Sequence, residues 1–107
     1  MSETLQKIRL LVRQGKFRVS DHGYDELSSD GLLAGEVLTG IESAVVVEDY
    51  PGYFKGPCVL VFQKDAAGLP IHVVWGIPLG KLEPAVLVTA YRPDPTKWDA
   101  TFLRRRS

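Results

Sequence analysis

The stretch CVLVFQKDAAGLPIHVVWGI, residues 58–77, decides the fold. Cys58 to Gln63 and Ile71 to Ile77 are dense in β-branched and aromatic side chains, which fit the pleated surface of a strand. Between them, Lys64-Asp65-Ala66-Ala67-Gly68 is a connection of hairpin length that carries a glycine. So short a link joins antiparallel neighbours, because a parallel pair needs a crossover of a dozen or more residues.

The same texture continues on both sides. Ala44-Val45-Val46-Val47 reads as a strand, followed by a turn at Tyr50-Pro51-Gly52. Pro78-Leu79-Gly80-Lys81 turns the chain again, and Ala85 to Tyr91 makes a last strand that ends at Arg92-Pro93-Asp94-Pro95. The expectation is a meander of four antiparallel strands.

Ahead of residue 43 the period changes from two to between three and four. Leu5, Ile8, Leu11 and Val12 form the apolar stripe of a helix that ends at Gly15. Phe17-Arg18-Val19 reads as an extended link. Ser20 or Asp21 caps a second helix in which Tyr24 and Leu27 share a buried face. Asp30 caps a third, with Leu33, Val37, Leu38 and Ile41, that stops near Gly40. Thr96 to Phe102 reads as a short helical turn. The fold class is α+β, with N-terminal helices packed on one face of the sheet. Residues 1–107 make a single domain: an N-terminal helix over 1–15, a core over 16–103 and a basic tail over 104–107.

A length of 107 residues fits one domain, and 45% hydrophobic against 24% charged residues supplies one core. Thirteen basic and thirteen acidic side chains cancel, so any attraction for nucleic acid must come from a local patch. The single cysteine, Cys58, excludes an internal disulfide and a thiolate cluster and reads as a small buried hydrophobe. Met1 to Gln6 is polar, with no apolar core of a secretory signal, and the apolar runs fall short of the ~20 residues that span a bilayer. A cytoplasmic protein with no membrane partner is expected.

His22 and Glu26 stand four apart on the second helix and so on one face. An imidazole beside a carboxylate suits general acid–base work near neutrality. His72 alternates with Val74 on one side of its strand, with Ile71, Val73 and Trp75 on the other. It belongs to the core edge or to a cleft, depending on which face the helices cover. Tyr91-Arg92 closes the last strand and Lys97-Trp98 follows. An arginine there can hold a phosphate bidentately, Lys97 adds a charge, and Trp98 or Tyr91 can stack on a base. No ligand spacing for a metal appears, and no nucleotide-binding loop, dinucleotide fingerprint or serine-hydrolase motif, so neither metal nor cofactor is expected.

Phe17-Arg18-Val19-Ser20-Asp21-His22, Glu26-Leu27, Asp30-Gly31-Leu32 and Glu36-Val37-Leu38 together resemble a widespread bacterial domain of unknown function. Tyr50-Pro51, Gly68 to Val74, Val88-Thr89-Ala90-Tyr91-Arg92-Pro93 and Trp98 extend the resemblance over about residues 16 to 100. Asp30 stands where many relatives carry an arginine. That domain is similar to RelE/ParE-like toxins, including BrnT-like and MqsR-like members. The resemblance implies helices against a central antiparallel sheet, an mRNA-cleaving activity and a cognate antitoxin as partner. His22, His72, Tyr91 and Arg92 match its recurring polar positions.

Metal-independent RNA cleavage needs a base for the 2′-hydroxyl, charge for the phosphorane-like transition state and an acid for the leaving 5′-oxygen. The expected catalytic set is His22 oriented by Glu26, or His72, with Tyr91 and Arg92. The expected RNA-binding set is Arg18, Lys97 and Trp98. The competing expectation is a non-enzymatic binding or regulatory module that uses the sheet or the aromatic Tyr50–Pro57 loop. Clustering of the polar set would speak for catalysis, and dispersal for binding.

Overall fold

The computed structural model describes residues 2–106. The chain runs α1 (Glu3–Arg13), β1 (Phe17–Val19), α2 (Asp21–Ser29), α3 (Ala34–Gly40), a 3-10 turn (Ile41–Ser43), β2 (Val45–Tyr50), β3 (Cys58–Lys64), β4 (Pro70–Gly76) and β5 (Ala85–Tyr91). Ser2 caps α1 through Leu5 N–H (3.0 Å), and Ser20 caps α2 through Gly23 N–H (2.9 Å).

The α+β class and the antiparallel meander β2-β3-β4-β5 stand, but the sheet has five strands and is mixed. Phe17-Arg18-Val19, expected as a link, is an edge strand parallel to β5, in the order β1-β5-β4-β3-β2. Three residues are too short to show a period of two. Their ladder is instead extended by Ser20 N–H to Leu87 carbonyl and Ala85 N–H to Lys16 carbonyl, both 3.0 Å. The parallel sense costs no tight turn, since α2, α3 and strands β2, β3 and β4 lie between β1 and β5 in the chain.

Asp30 does not cap α3. It closes α2, and its carboxylate accepts from Arg92 N–H at 3.0 Å. Tyr24, expected on a buried face, is exposed; Leu27 carries that contact alone. α2 lies close on β5 because Gly23 leaves room: a Cβ there would stand 2.8 Å from the Leu87 carbonyl oxygen.

All three helices cover one face. Leu5, Ile8 and Leu11 of α1, Leu27 of α2, and Val37 of α3 with Ile41 pack on Val59, Val61, Ile71, Val73, Trp75 and Leu87. Arg9 ties the layers by donating to the carbonyls of Ile41 (3.0 Å) and Ala44 (2.7 Å). His72 and Val74 therefore point to the opposite, helix-free face.

Gln63 brings a polar side chain into this core. Gln63 is 1% exposed, donates to Val37 carbonyl (2.8 Å) and accepts from Trp75 Nε1–H (3.1 Å). Leucine there would leave both partners buried and unpaired. Gln63→Leu is expected to cost about 2–4 kcal/mol. A fall in the urea midpoint at unchanged slope would show it; an unchanged midpoint would mean the two bonds add nothing.

Candidate functional site

The helix-free face is covered at one end by the chain after β5. The expected helical turn over 96–102 is instead a small hairpin built on two aspartates. Asp94 accepts from Thr96 N–H (2.8 Å) and hydroxyl (2.7 Å), and Asp99 does the same for Thr101 (3.0 and 2.6 Å). Such local bonds favour turns over helix. Asp99 N–H donates to Arg104 carbonyl and Arg106 N–H to Lys97 carbonyl, both 2.9 Å, so Trp98 faces Arg105 across the hairpin. The basic end of the chain is thereby folded back as a strap.

His72 anchors this strap. It is fully buried, with Trp98 edge-on at 4.5 Å and Tyr91 at 5.8 Å between ring centroids. Its Nε2 lies 2.7 Å from Phe102 carbonyl oxygen, which makes Nε2 the protonated nitrogen and donor; Nδ1 has no partner. Burial lowers the His72 pKa, and the Phe102 carbonyl opposes that in part.

The folded state thus favours neutral His72, while the unfolded chain takes up the proton near pH 6.5. Below that pH the unfolded state binds more protons, so stability present above about pH 6.5 is lost as pH falls toward the lower folded value. His72→Gln keeps an N–H for Phe102 and cannot titrate. Its melting temperature is expected to vary less than the parent's between pH 7 and 5. Parallel profiles would assign the acid sensitivity elsewhere.

Beside His72 the strap and the sheet enclose a cleft of about 260 Å³. β2 supplies Glu48 and Tyr50, two residues apart and so on one side of the strand; β5 supplies Tyr91; the strap supplies Arg105. Arg105 holds both Glu48 oxygens, Nε to Oε2 at 2.9 Å and Nη2 to Oε1 at 3.0 Å, while its guanidinium lies 4.7 Å from the Trp98 ring centre. Tyr50 hydroxyl donates to Glu48 Oε1 at 2.9 Å. The Arg105 hydrogen bonds, joined by that of Tyr50, hold the Glu48 carboxyl below the usual carboxylate range. The bond to Glu48 raises the Tyr50 pKa, and burial raises that of Tyr91, so both phenols stay protonated at neutral pH.

The expected polar set divides. His72 and Tyr91 come together beneath Trp98 of the strap. His22 does not join them. It is exposed on α2, 3.5 Å from Glu26, in the layer on the far side of the sheet. Arg92 lies by Asp30, just past the other end of α2, so about 12 Å of helix separates it from His22. Its guanidinium pairs with Asp65 of the β3–β4 turn at 2.7 Å. Lys97 is exposed on the strap, and Arg18 lines a second, larger groove.

Glu48 was not among the expected residues; Tyr50 was expected only as part of the aromatic loop of a binding module, and Arg105 only as part of the basic tail. Glu48 and Tyr50 carry a faint signal in their i, i+2 spacing. For Arg105 the run Arg104 to Arg106 signals basic charge but not its partner, since only the folded strap brings it to Glu48 of β2. Among the described residues no three His, Cys, Asp or Glu side chains gather to hold a metal ion, and no helix is long and apolar enough to cross a membrane.

Residues 19–92, more than half of the chain, match a domain of unknown function, DUF4258. The chain belongs to that family. The DUF4258 segment holds Glu48, Tyr50, His72 and Tyr91 and ends at Arg92, so the strap with Trp98 and Arg105 lies beyond it. No curated protein and no solved structure matches the chain.

Proposed function

We propose that this DUF4258 protein is a metal-independent ribonuclease of toxin-like type, and that its site is the cleft under the strap. The observation that carries the reading is the convergence of Glu48, Tyr50, Tyr91 and Arg105 in one cleft. A carboxylate, an arginine and protonated hydroxyls are the groups that transesterification of RNA requires.

Glu48 has about four lone-pair positions, and Arg105 and Tyr50 use three. The one left, on Oε2, accepts the 2′-hydroxyl proton as the 2′-oxygen attacks phosphorus. Arg105 has five N–H donors and commits two to Glu48, which leaves Nη1 and Nη2 for the phosphate oxygens. The P–O5′ bond breaks, and Tyr91 hydroxyl gives its proton to the departing 5′-oxygen; Glu48 then releases the 2′-hydroxyl proton to water, and Tyr91 regains one from water. The products are a 2′,3′-cyclic phosphate and a 5′-hydroxyl. His72 acts as a positioning residue that seats the strap. A cognate antitoxin that covers this cleft would complete the toxin-like reading.

A second reading, an RNA- or protein-binding module without cleavage, draws support from His22 and Arg92 lying apart from the cleft and from the exposed aromatics of the Tyr50–Pro57 loop. There Tyr53 is 45% and Phe54 70% exposed. Incubation with single-stranded RNA in excess chelator separates the two. Fragments ending in 2′,3′-cyclic phosphate support the ribonuclease; intact RNA with the folded protein favours the binding module.

A further inference from the structure

The second groove on the helix-free face, about 660 Å³, is continuous with the cleft, because Tyr53, Cys58 and Val74 line both. Its floor is apolar: Val74, Val86 and Val88 of β4 and β5, with half-buried Cys58. Burial raises the Cys58 pKa, so the sulfur is a neutral thiol there. Ser20 closes one corner with its hydroxyl already engaged, donating to Val88 carbonyl at 2.8 Å and accepting from Gly23 N–H. No nucleophile is poised in the groove.

The rim differs from the floor. Arg18, opposite Val86 in the β1–β5 register, borders one side, and Lys55 the other. Both are exposed, and among the described residues neither makes an ion pair; Lys55 Nζ lies over the Phe54 ring, 5.7 Å from its centre. Several other basic groups are committed, Arg13 to Glu42, Lys16 to Glu83, Arg92 to Asp65 and Arg105 to Glu48, whereas Lys64, Lys81, Lys97 and Arg104, also without an ion pair among the described residues, line neither the groove nor the cleft. Gly56, at φ +124°, fixes the place of Lys55. A Cβ on it would strike the Ile77 carbonyl and Leu79 N–H, and Leu79 N–H donates to the Lys55 carbonyl at 3.0 Å.

We infer that this groove is an extended subsite for single-stranded RNA, with Arg18 and Lys55 on phosphates, the apolar floor under a base and Tyr53 as a stacking platform between groove and cleft. The inference rests on the ribonuclease reading for its RNA and adds where the strand lies beyond the cleft. Unpaired cations over an apolar floor complement a strand that alternates anionic phosphates with flat bases. In a chain of zero net charge, such a local pair is what electrostatic attraction needs.

The test is binding of fluorescent 2′-O-methyl oligoribonucleotides, which lack the attacking hydroxyl. Tight binding of a hexamer over a dimer is expected. The double variant Arg18→Ala, Lys55→Ala should weaken hexamer binding roughly tenfold or more and flatten its salt dependence by about 1.4 in the log–log slope, from two lost phosphate contacts. Arg18→Lys with Lys55→Arg should restore it. Lys7→Ala with Arg13→Ala removes equal charge from α1 in the opposite layer and should change binding little. If the parent cleaves RNA but the groove variant binds like the parent, the subsite is overturned and the ribonuclease stands. If the parent does not cleave, yet binding depends on Arg18 and Lys55, the subsite stands and the ribonuclease falls. Equal loss from the α1 variant would overturn the subsite as an effect of net charge.

Discussion

Glu48→Gln is expected to lower RNA cleavage by roughly a hundredfold to ten-thousandfold, the range for loss of a general acid–base group. Glutamine fits the same space and can still accept from Tyr50, but it cannot take the 2′-hydroxyl proton. It also frees Arg105 from its bidentate partner, so the strap has one anchor fewer. The melting temperature must therefore be read beside the rate. The pH profile adds a second check. Arg105 and Tyr50 hold the Glu48 pKa low, so the carboxylate stays ionised below the usual range near 4.3. Parental cleavage should persist at pH values where an ordinary glutamate would already be protonated, down to the point where the fold itself fails. A folded Glu48→Gln protein that cleaves at the parental rate would remove Glu48 from the mechanism.

The fold was legible where it rests on period and turn chemistry. The hairpin over 58–77 and the stripe Leu5, Ile8, Leu11 turned out as their patterns read, since each pattern states which side is buried. β1 was not legible, because three residues paired to a strand almost seventy positions away carry no local signature. The strap was misread for a related reason. Asp94 and Asp99 bend the backbone through their own side chains, and nothing in the apolar spacing of 96–102 reports that. The same split governs the site. His72 and Tyr91 were visible as polar residues in apolar strands, and their opposition across β4 and β5 follows from the register. The surroundings of His72 were not, because the strap that buries it arrives from beyond the strand. His22-Glu26 and Tyr91-Arg92 looked like active pairs because spacing shows which residues are neighbours along the chain. It cannot show that α2 and the strap lie on opposite faces of a sheet.

Trp98→Ala is expected to release the strap while the helix-covered core stays folded. Trp98 is 3% exposed, edge-on to His72 and under Arg105. Removing a buried tryptophan costs roughly 3–5 kcal/mol. The core cluster under α1, α2 and α3 does not include Trp98, so that loss falls on the strap rather than on the sheet. At about 1.4 kcal/mol per factor of ten, the open strap becomes at least a hundredfold more populated. Arg104 and Arg105, inside the hairpin, then become cutting sites for trypsin, and the peptide bonds after them should be cleaved at least a hundredfold faster than in the parent under conditions where opening and closing outpace cleavage. Far-ultraviolet circular dichroism should change little. Arg105 leaves Glu48 when the strap opens, so RNA cleavage should fall with the closed population, whereas Trp98→Phe, which keeps an aromatic ring against His72, should retain most of it. Parental resistance to trypsin in Trp98→Ala would mean that the Asp94 and Asp99 turns and the Glu48 pair hold the strap without the indole. Global unfolding in that variant would instead place Trp98 in the cooperative core.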